Sequence, residues 1–168
     1  MAGGLPKKIE EFHKIPDAKL AIISSMWHAE CVDAMVAKAQ SVLLGLEVRE
    51  ENITVHRVPG SLELPFAARC LFEADPKIDA ILAFGVVLTG ATTHDATVIQ
   101  NVVHGFSLVS DRFGKPIINE VIGVSKIEDA KARSGDNDLN KGVEAAFAVS
   151  ELLHWHKSVK KVVKRISP

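Results

Sequence analysis

The sequence predicts a single-domain α/β sandwich, doubly wound about a four-stranded parallel sheet. Three observations carry this reading. Short apolar segments alternate with stretches of helical periodicity, and strands separated by helices form parallel sheets with right-handed crossovers. The chain has 168 residues, 47% of them hydrophobic, enough for one core that buries about 70% of the surface exposed by its unfolded form. Residues 79 to 88 are almost continuously apolar, as expected of a central strand covered on both faces. No internal repeat or low-complexity segment interrupts the pattern.

Residues 1–18 mix Gly, Pro and Lys with little periodicity, which predicts an arm that precedes the fold and is ordered only where a neighbour holds it. The folded domain is expected over 19–156. Leu20 to Ser25 is a short apolar run, and Ala29 to Leu46 carries Cys31, Val32, Met35, Val36, Ala39, Val42 and Leu43 at near-helical spacing. Ile53 to Val58 is β-branched and alternating, Pro59-Gly60 turns the chain, and Leu62 to Phe72 predicts the second helix. Asp79 to Leu88 is the third strand, Thr93 to Arg112 the third helix and Pro116 to Val124 the fourth strand. A short helical turn near Glu128 to Arg133 precedes a long helix from Gly142 to about Val163. Residues 157–168 form a basic C-terminal extension.

Lys and Arg number 20 against 21 Asp and Glu, a formal charge of -1. No long-range field then draws nucleic acid or a membrane, and a small molecule is the expected partner. The longest apolar runs fall far short of the roughly 20 residues a bilayer needs, and the N-terminus lacks an apolar signal core, so the expected location is cytoplasmic. Cys31 and Cys70 lie far apart with no CxxC spacing, which suggests neither disulfides nor a thiolate metal site. Both are expected in or near the core.

In a doubly wound fold, ligands bind at the carboxyl ends of the strands. The loops at 24–28, 58–63, 85–94 and 119–126 are therefore the informative ones. The strongest is Gly85-Val86-Val87-Leu88-Thr89-Gly90-Ala91-Thr92-Thr93-His94-Asp95. Gly90 lets backbone approach a ligand, and the free N–H groups of the following helix form an anion site suited to a phosphate. The spacing is neither a P-loop nor GxGxxG, so no nucleotide is implied. A capping box with Thr92 as N-cap and Asp95 three residues on explains the same residues without a ligand. His94, in the first turn, is placed to move protons beside a bound anion. Trp27, after the first strand, can stack a heteroaromatic ring or plug the sheet edge. Ser61, Leu62 and Glu63 open a second helix with free backbone donors. Arg133 and Lys141 lie in a polar stretch where either can pair with an anion or stay solvated. The His154-Trp155-His156 triplet is no metal site, because successive helix positions splay the two imidazoles apart.

Taken together, these loops resemble the lumazine synthase family from about Ala18 to about Leu153. Val58 to Pro65 resembles its VPG(S/A)xE(I/L)P turn, Gly85 to His94 its GxxxxG(A/E/S)TxH loop, and Arg133 with Asn140 to Ala146 its Arg…NKGxEAA segment. The resemblance implies a flavodoxin-like sandwich and a transferase of riboflavin biosynthesis. That enzyme condenses 5-amino-6-(D-ribitylamino)uracil with 3,4-dihydroxy-2-butanone 4-phosphate to give 6,7-dimethyl-8-ribityllumazine, with no metal or organic cofactor. By position, it implies that Trp27 stacks on the pyrimidine and that Ser61, Leu62, Glu63, Val87 and Leu88 line its site. Gly90, Ala91 and Thr92 would bind the phosphate with Arg133 of a neighbouring subunit, His94 would transfer protons, and Lys141 would add a charge nearby. Thr89 replaces a basic residue frequent in the family. Asn119-Glu120 stands where many members have Phe-Gly, the Phe reaching into the adjacent subunit's site. The family implies a homopentamer or a larger shell, with sites at subunit interfaces.

Rival readings differ at defined residues. A flavin- or lumazine-binding paralogue with weak or no turnover fits Thr89 and Asn119. A receiver domain needs acidic residues after the first and third strands, where Ser24-Ser25 and Phe84-Gly85 stand instead. An electron-carrying flavodoxin needs a Ser/Thr/Gly-rich loop in place of Ser24 to His28. A riboflavin synthase on a related scaffold is disfavoured by the His94 loop and the NKGxEAA segment.

Overall fold

The computed structural model describes residues 8–137 and 139–166, with side chains through 160. Strands β1 (Leu20–Ser25), β2 (Ile53–Val58), β3 (Ala80–Leu88) and β4 (Ile117–Val124) form one sheet in the order β2-β1-β3-β4. Every neighbouring pair is parallel. Helices α1 (Ala29–Gly45), α2 (Leu64–Ala74), α3 (His94–Phe113), α4 (Ile127–Ala132) and α5 (Lys141–Ile166) connect and follow the strands.

The sheet is covered on both sides, which explains why β1 and β3 read as continuous apolar runs. Leu20, Ile22, Leu82, Phe84 and Val86 point into a core shared with α1 and α5. Ala21, Ile23, Ile81 and Ala83 point into a second core with Leu64, Ala68 and Phe72 of α2 and Val98, Val102 and Phe106 of α3. The two-residue strand period distributes successive side chains between these cores. At the edge, β2 is largely exposed.

Helix boundaries follow local chemistry. Pro65 sits in the first turn of α2, where its missing N–H costs nothing. Gly114, at φ 61, closes α3 in the left-handed conformation that glycine adopts without strain. Gly142 serves close approach instead: a β-carbon there would stand 2.2 Å from Met35 O and 2.7 Å from Ala39 N. The start of α5 thus lies directly on the backbone of α1.

Three sequence expectations meet a different packing. Residues 1–7 of the expected arm lie outside the described residues, but within 8–18 Phe12 and Ile15 are buried in the α1–α5 core. Phe12 lies 5.0 Å from the Phe147 ring, so this segment docks on its own chain. The extension expected from 157 is continuous with α5, which runs to Ile166; residues 167 and 168 lie outside the described residues. Cys70 is exposed, because it falls on the outer side of α2, whereas Cys31 is buried. Among the described residues, no helix is long and apolar enough to cross a membrane.

Candidate active site

In the order β2-β1-β3-β4, chain progression reverses direction between β1 and β3, and a crevice opens at such a switch point. A cavity of about 410 Å³ lies there, within the size range of small-molecule sites. Trp27 and His28 from the end of β1, Gly60 to Glu63 from the end of β2, Val86 to Leu88 from β3, and His94 and Val98 from α3 line it. Seven of the residues anticipated from the sequence therefore converge: Trp27, Ser61, Leu62, Glu63, Val87, Leu88 and His94.

Local geometry explains the convergence. The indole of Trp27 is 69% exposed, so one face is open to a planar ligand. A β-carbon on Gly60 would stand 2.9 Å from Glu63 Oε2 and 3.6 Å from Trp27 Cδ1, which shows how tightly the carboxylate and the indole close over this glycine. Likewise, a β-carbon on Gly85 would meet Ser61 Oγ at 2.7 Å and Ser25 Oγ at 3.3 Å. Gly85 thus lets the 61–63 turn rest on β3. Ser25 is wholly buried, and its hydroxyl has no hydrogen-bond partner among the described residues.

Gly90, Ala91 and Thr92 do not line the cavity. They form the exposed loop between β3 and α3, next to His94. No side chain caps α3 at its N-cap, Thr93. The capping box expected of Thr92 and Asp95 does not form, because Asp95 turns back to accept the Thr89 hydroxyl at 3.0 Å. Only a long contact of 3.4 Å runs from His94 N–H to Thr92 Oγ1. Thr89 thereby ties the loop to the first turn of α3. Helix-start donors left without a side-chain cap are suited to an anion.

Asn119, Arg133 and Lys141 stand apart from the cavity. Asn119 is exposed on β4, its Oδ1 accepting the Val121 N–H at 3.0 Å. Arg133 ends α4 and is half-buried, with no ion pair to its guanidinium among the described residues. Its carbonyl accepts the Lys141 N–H at 2.9 Å, which brings two cationic residues to one corner. Buried Asn140 holds that corner from inside: its amide donates to Ser134 O and Gly135 O, each at 2.8 Å, and accepts Gly142 N–H at 2.8 Å. Lys141 Nζ lies 3.5 Å from Glu120 Oε2 and contacts Glu144 as well. Burial raises the Glu120 carboxyl to about 7, against the pull of Lys141, while Glu144 pushes it further up.

A profile of the 6,7-dimethyl-8-ribityllumazine synthase family matches residues 17–157. The chain belongs to this family. A 6,7-dimethyl-8-ribityllumazine synthase of Stenotrophomonas maltophilia is 41% identical over 137 residues, 82% of this chain and 88% of that protein. The namesake of Xanthomonas oryzae pv. oryzae is 40% identical over 139 residues, 83% and 90% of the respective chains. A solved GDP-L-fucose synthetase from Naegleria fowleri reaches a TM-score of 0.39 at 11% identity, over 91% of this chain and 52% of that one. That likeness is too slight to bear on either fold or function.

The lumazine synthase match spans both the cavity and the Arg133–Lys141 corner. Sequence reasoning singled out neither His28, Gly60, Val86 nor Val98 as site residues. The loop 24–28 was marked as informative, yet nothing in it distinguished His28, whose significance lies in its backbone. It adopts φ 56 and ψ 44, a left-handed conformation uncommon outside glycine. Its carbonyl accepts the Cys31 and Val32 amides at 3.0 and 3.1 Å while its side chain caps nothing, leaving the imidazole at the cavity wall. Val86 and Val98 are core residues whose cavity-facing sides follow from α3 packing against β3.

Proposed function

We propose that this chain condenses 5-amino-6-(D-ribitylamino)uracil with 3,4-dihydroxy-2-butanone 4-phosphate to form 6,7-dimethyl-8-ribityllumazine, phosphate and water. The observation that carries the reading is the cavity at the switch point, where an open indole, a hydroxyl-bearing turn and a histidine meet. Trp27 stacks on the pyrimidine, and Ser61, Leu62 and Glu63, with Val87 and Leu88, receive the ring and ribityl chain. The uncapped start of α3, through Gly90, Ala91 and Thr92, holds the phosphate. His94 at the rim moves protons during imine formation, phosphate elimination and ring closure. Much of the acceleration comes from holding two reactive substrates together. The reading assigns no metal or organic cofactor.

Asn119, Arg133 and Lys141 belong to the site of a neighbouring subunit in this reading, within a cytoplasmic homopentamer or larger assembly. Their separation from the cavity, and a guanidinium of Arg133 without an ion pair among the described residues, support that arrangement. The test follows lumazine formation optically for the wild type, a His94→Ala, Arg133→Ala double variant and an enzyme-free control. Turnover well above the control, with the double variant much slower, is expected. Wild-type turnover at the control rate with tight riboflavin binding would overturn the reading in favour of a binding paralogue.

A further inference from the structure

Glu120 is the largely shielded carboxylate that the proposed reaction leaves unused. Its side chain is 12% exposed, beside Lys141 at 17% and Glu144 at 29%. It projects from the face of β4 that packs on α5, and pairs in register with Phe84 of β3, so an aromatic wall stands beside it. Lys141 and Glu144 are the charged groups that act on it. Two carboxylates share one ammonium. With all three ionised the cluster carries one net negative charge away from water, and a shielded like-charged pair relieves this by keeping a proton on one carboxyl.

The contacts make the two acids unequal. Glu144 follows Lys141 by one helical turn and touches its ammonium closely, whereas Glu120 stands 3.5 Å away on the strand. Glu120 is also the more shielded, so it is the member that holds the proton. Lys141 is tied through its own N–H to the Arg133 carbonyl, so the charge of the cluster is felt beside the Arg133 guanidinium.

We propose that Glu120 is a positioning residue for Lys141, competing with Glu144 for its ammonium and setting by its charge state how much positive charge the Arg133–Lys141 corner offers an anion. This rests on the reading that the corner serves the phosphate-bearing substrate. With Glu120 protonated, Lys141 is opposed by Glu144 alone and the corner is cationic. With Glu120 ionised, the cluster becomes net negative and an incoming phosphate meets a weaker field. The carboxyl raised to about 7 places the change near neutral pH.

The experiment compares wild type with Glu120→Gln and Glu120→Asp from pH 6 to pH 8.5, in three readouts. The KM for the butanone phosphate rises about three- to tenfold more steeply with pH in wild type than in Glu120→Gln, the size expected for one unit charge about 3–6 Å away at the high dielectric of a water-exposed corner. Its kcat profile changes little, and Glu120→Asp retains part of the slope. Comparing variants cancels titration of the substrate phosphate itself. Binding of inorganic phosphate, followed by calorimetry, reports on the same corner without turnover and shows the same difference. Denaturant midpoints report on the cluster alone. A carboxyl raised from its ordinary 4.5 to about 7 favours the fold at acid pH, and wild type loses that stability as pH rises through 7, while Glu120→Gln does not. Parallel KM and phosphate-binding profiles in wild type and Glu120→Gln would overturn the proposal. So would parallel stability profiles. If wild type turns over nothing yet the stability profiles diverge, the titrating cluster stands and the synthase reading is what fails.

Discussion

Asn140 spends its whole amide on the backbone, two carbonyls from one end and an N–H from the other, so the polar stretch before α5 is pinned from within. Asn140→Ala strands those groups in a buried setting, and a loss of about 2–3 kcal/mol is expected by urea denaturation. The same change loosens Arg133 and Lys141 and raises KM for the phosphate-bearing substrate more than it lowers kcat. Gly142→Ala drives a methyl into the Met35 carbonyl; it should cost about 1–3 kcal/mol or more, visible as a lower Tm. At this scale the sequence was legible where a residue type announces its chemistry, as Trp27 and His94 do. It was silent where the partner is remote: nothing near Gly142 names Met35, and nothing near Glu120 names Lys141.

Among the elements, strands were legible because burial on both faces keeps β3 and all of β1 but its two closing serines apolar. The segment 8–18 was not, since Phe12 and Ile15 are isolated apolar residues in a Pro-, Lys- and Glu-bearing stretch without a period. Phe12 nevertheless lies in the core against Phe147, and Phe12→Ala is expected to cost about 3–5 kcal/mol in a denaturant titration. The start of α3 misled in the opposite sense. Thr92 and Asp95 have the spacing of a capping box, but Thr89 competes for the Asp95 carboxylate and wins. Releasing that contact by Thr89→Val lets Asp95 swing onto the helix amides. Phosphate should then bind more weakly, measured by competition against turnover, because a carboxylate occupies the donors first.

For the molecule as a whole, the division of site residues into a cavity group and a corner group makes a stoichiometric prediction. Neither His94→Ala nor Arg133→Ala subunits alone build a full site if the two groups come from adjacent chains. Refolded together in equal amounts, random assortment gives about a quarter of the sites both wild-type residues, and activity reappears in the mixture. Failure of the mixture to exceed its separate parents would place both groups in one chain. Sequence alone supplied the sheet and the loops, and its family resemblance implied a neighbour's Arg133; that Asn119 and Lys141 also stand away from the crevice came only with the fold. The long α5 has a consequence of another kind. It follows every other described element, yet its first turns cover α1, the first α-helix of the fold, and the sheet face carrying Ile22, Leu82 and Phe84. During synthesis that face is covered by α1 alone until α5 leaves the ribosome, so nascent chains that stop at residue 140 should stick to one another and bind a hydrophobic dye, and adding the 26 residues of α5 takes about 1–5 s at about 5–20 residues per second.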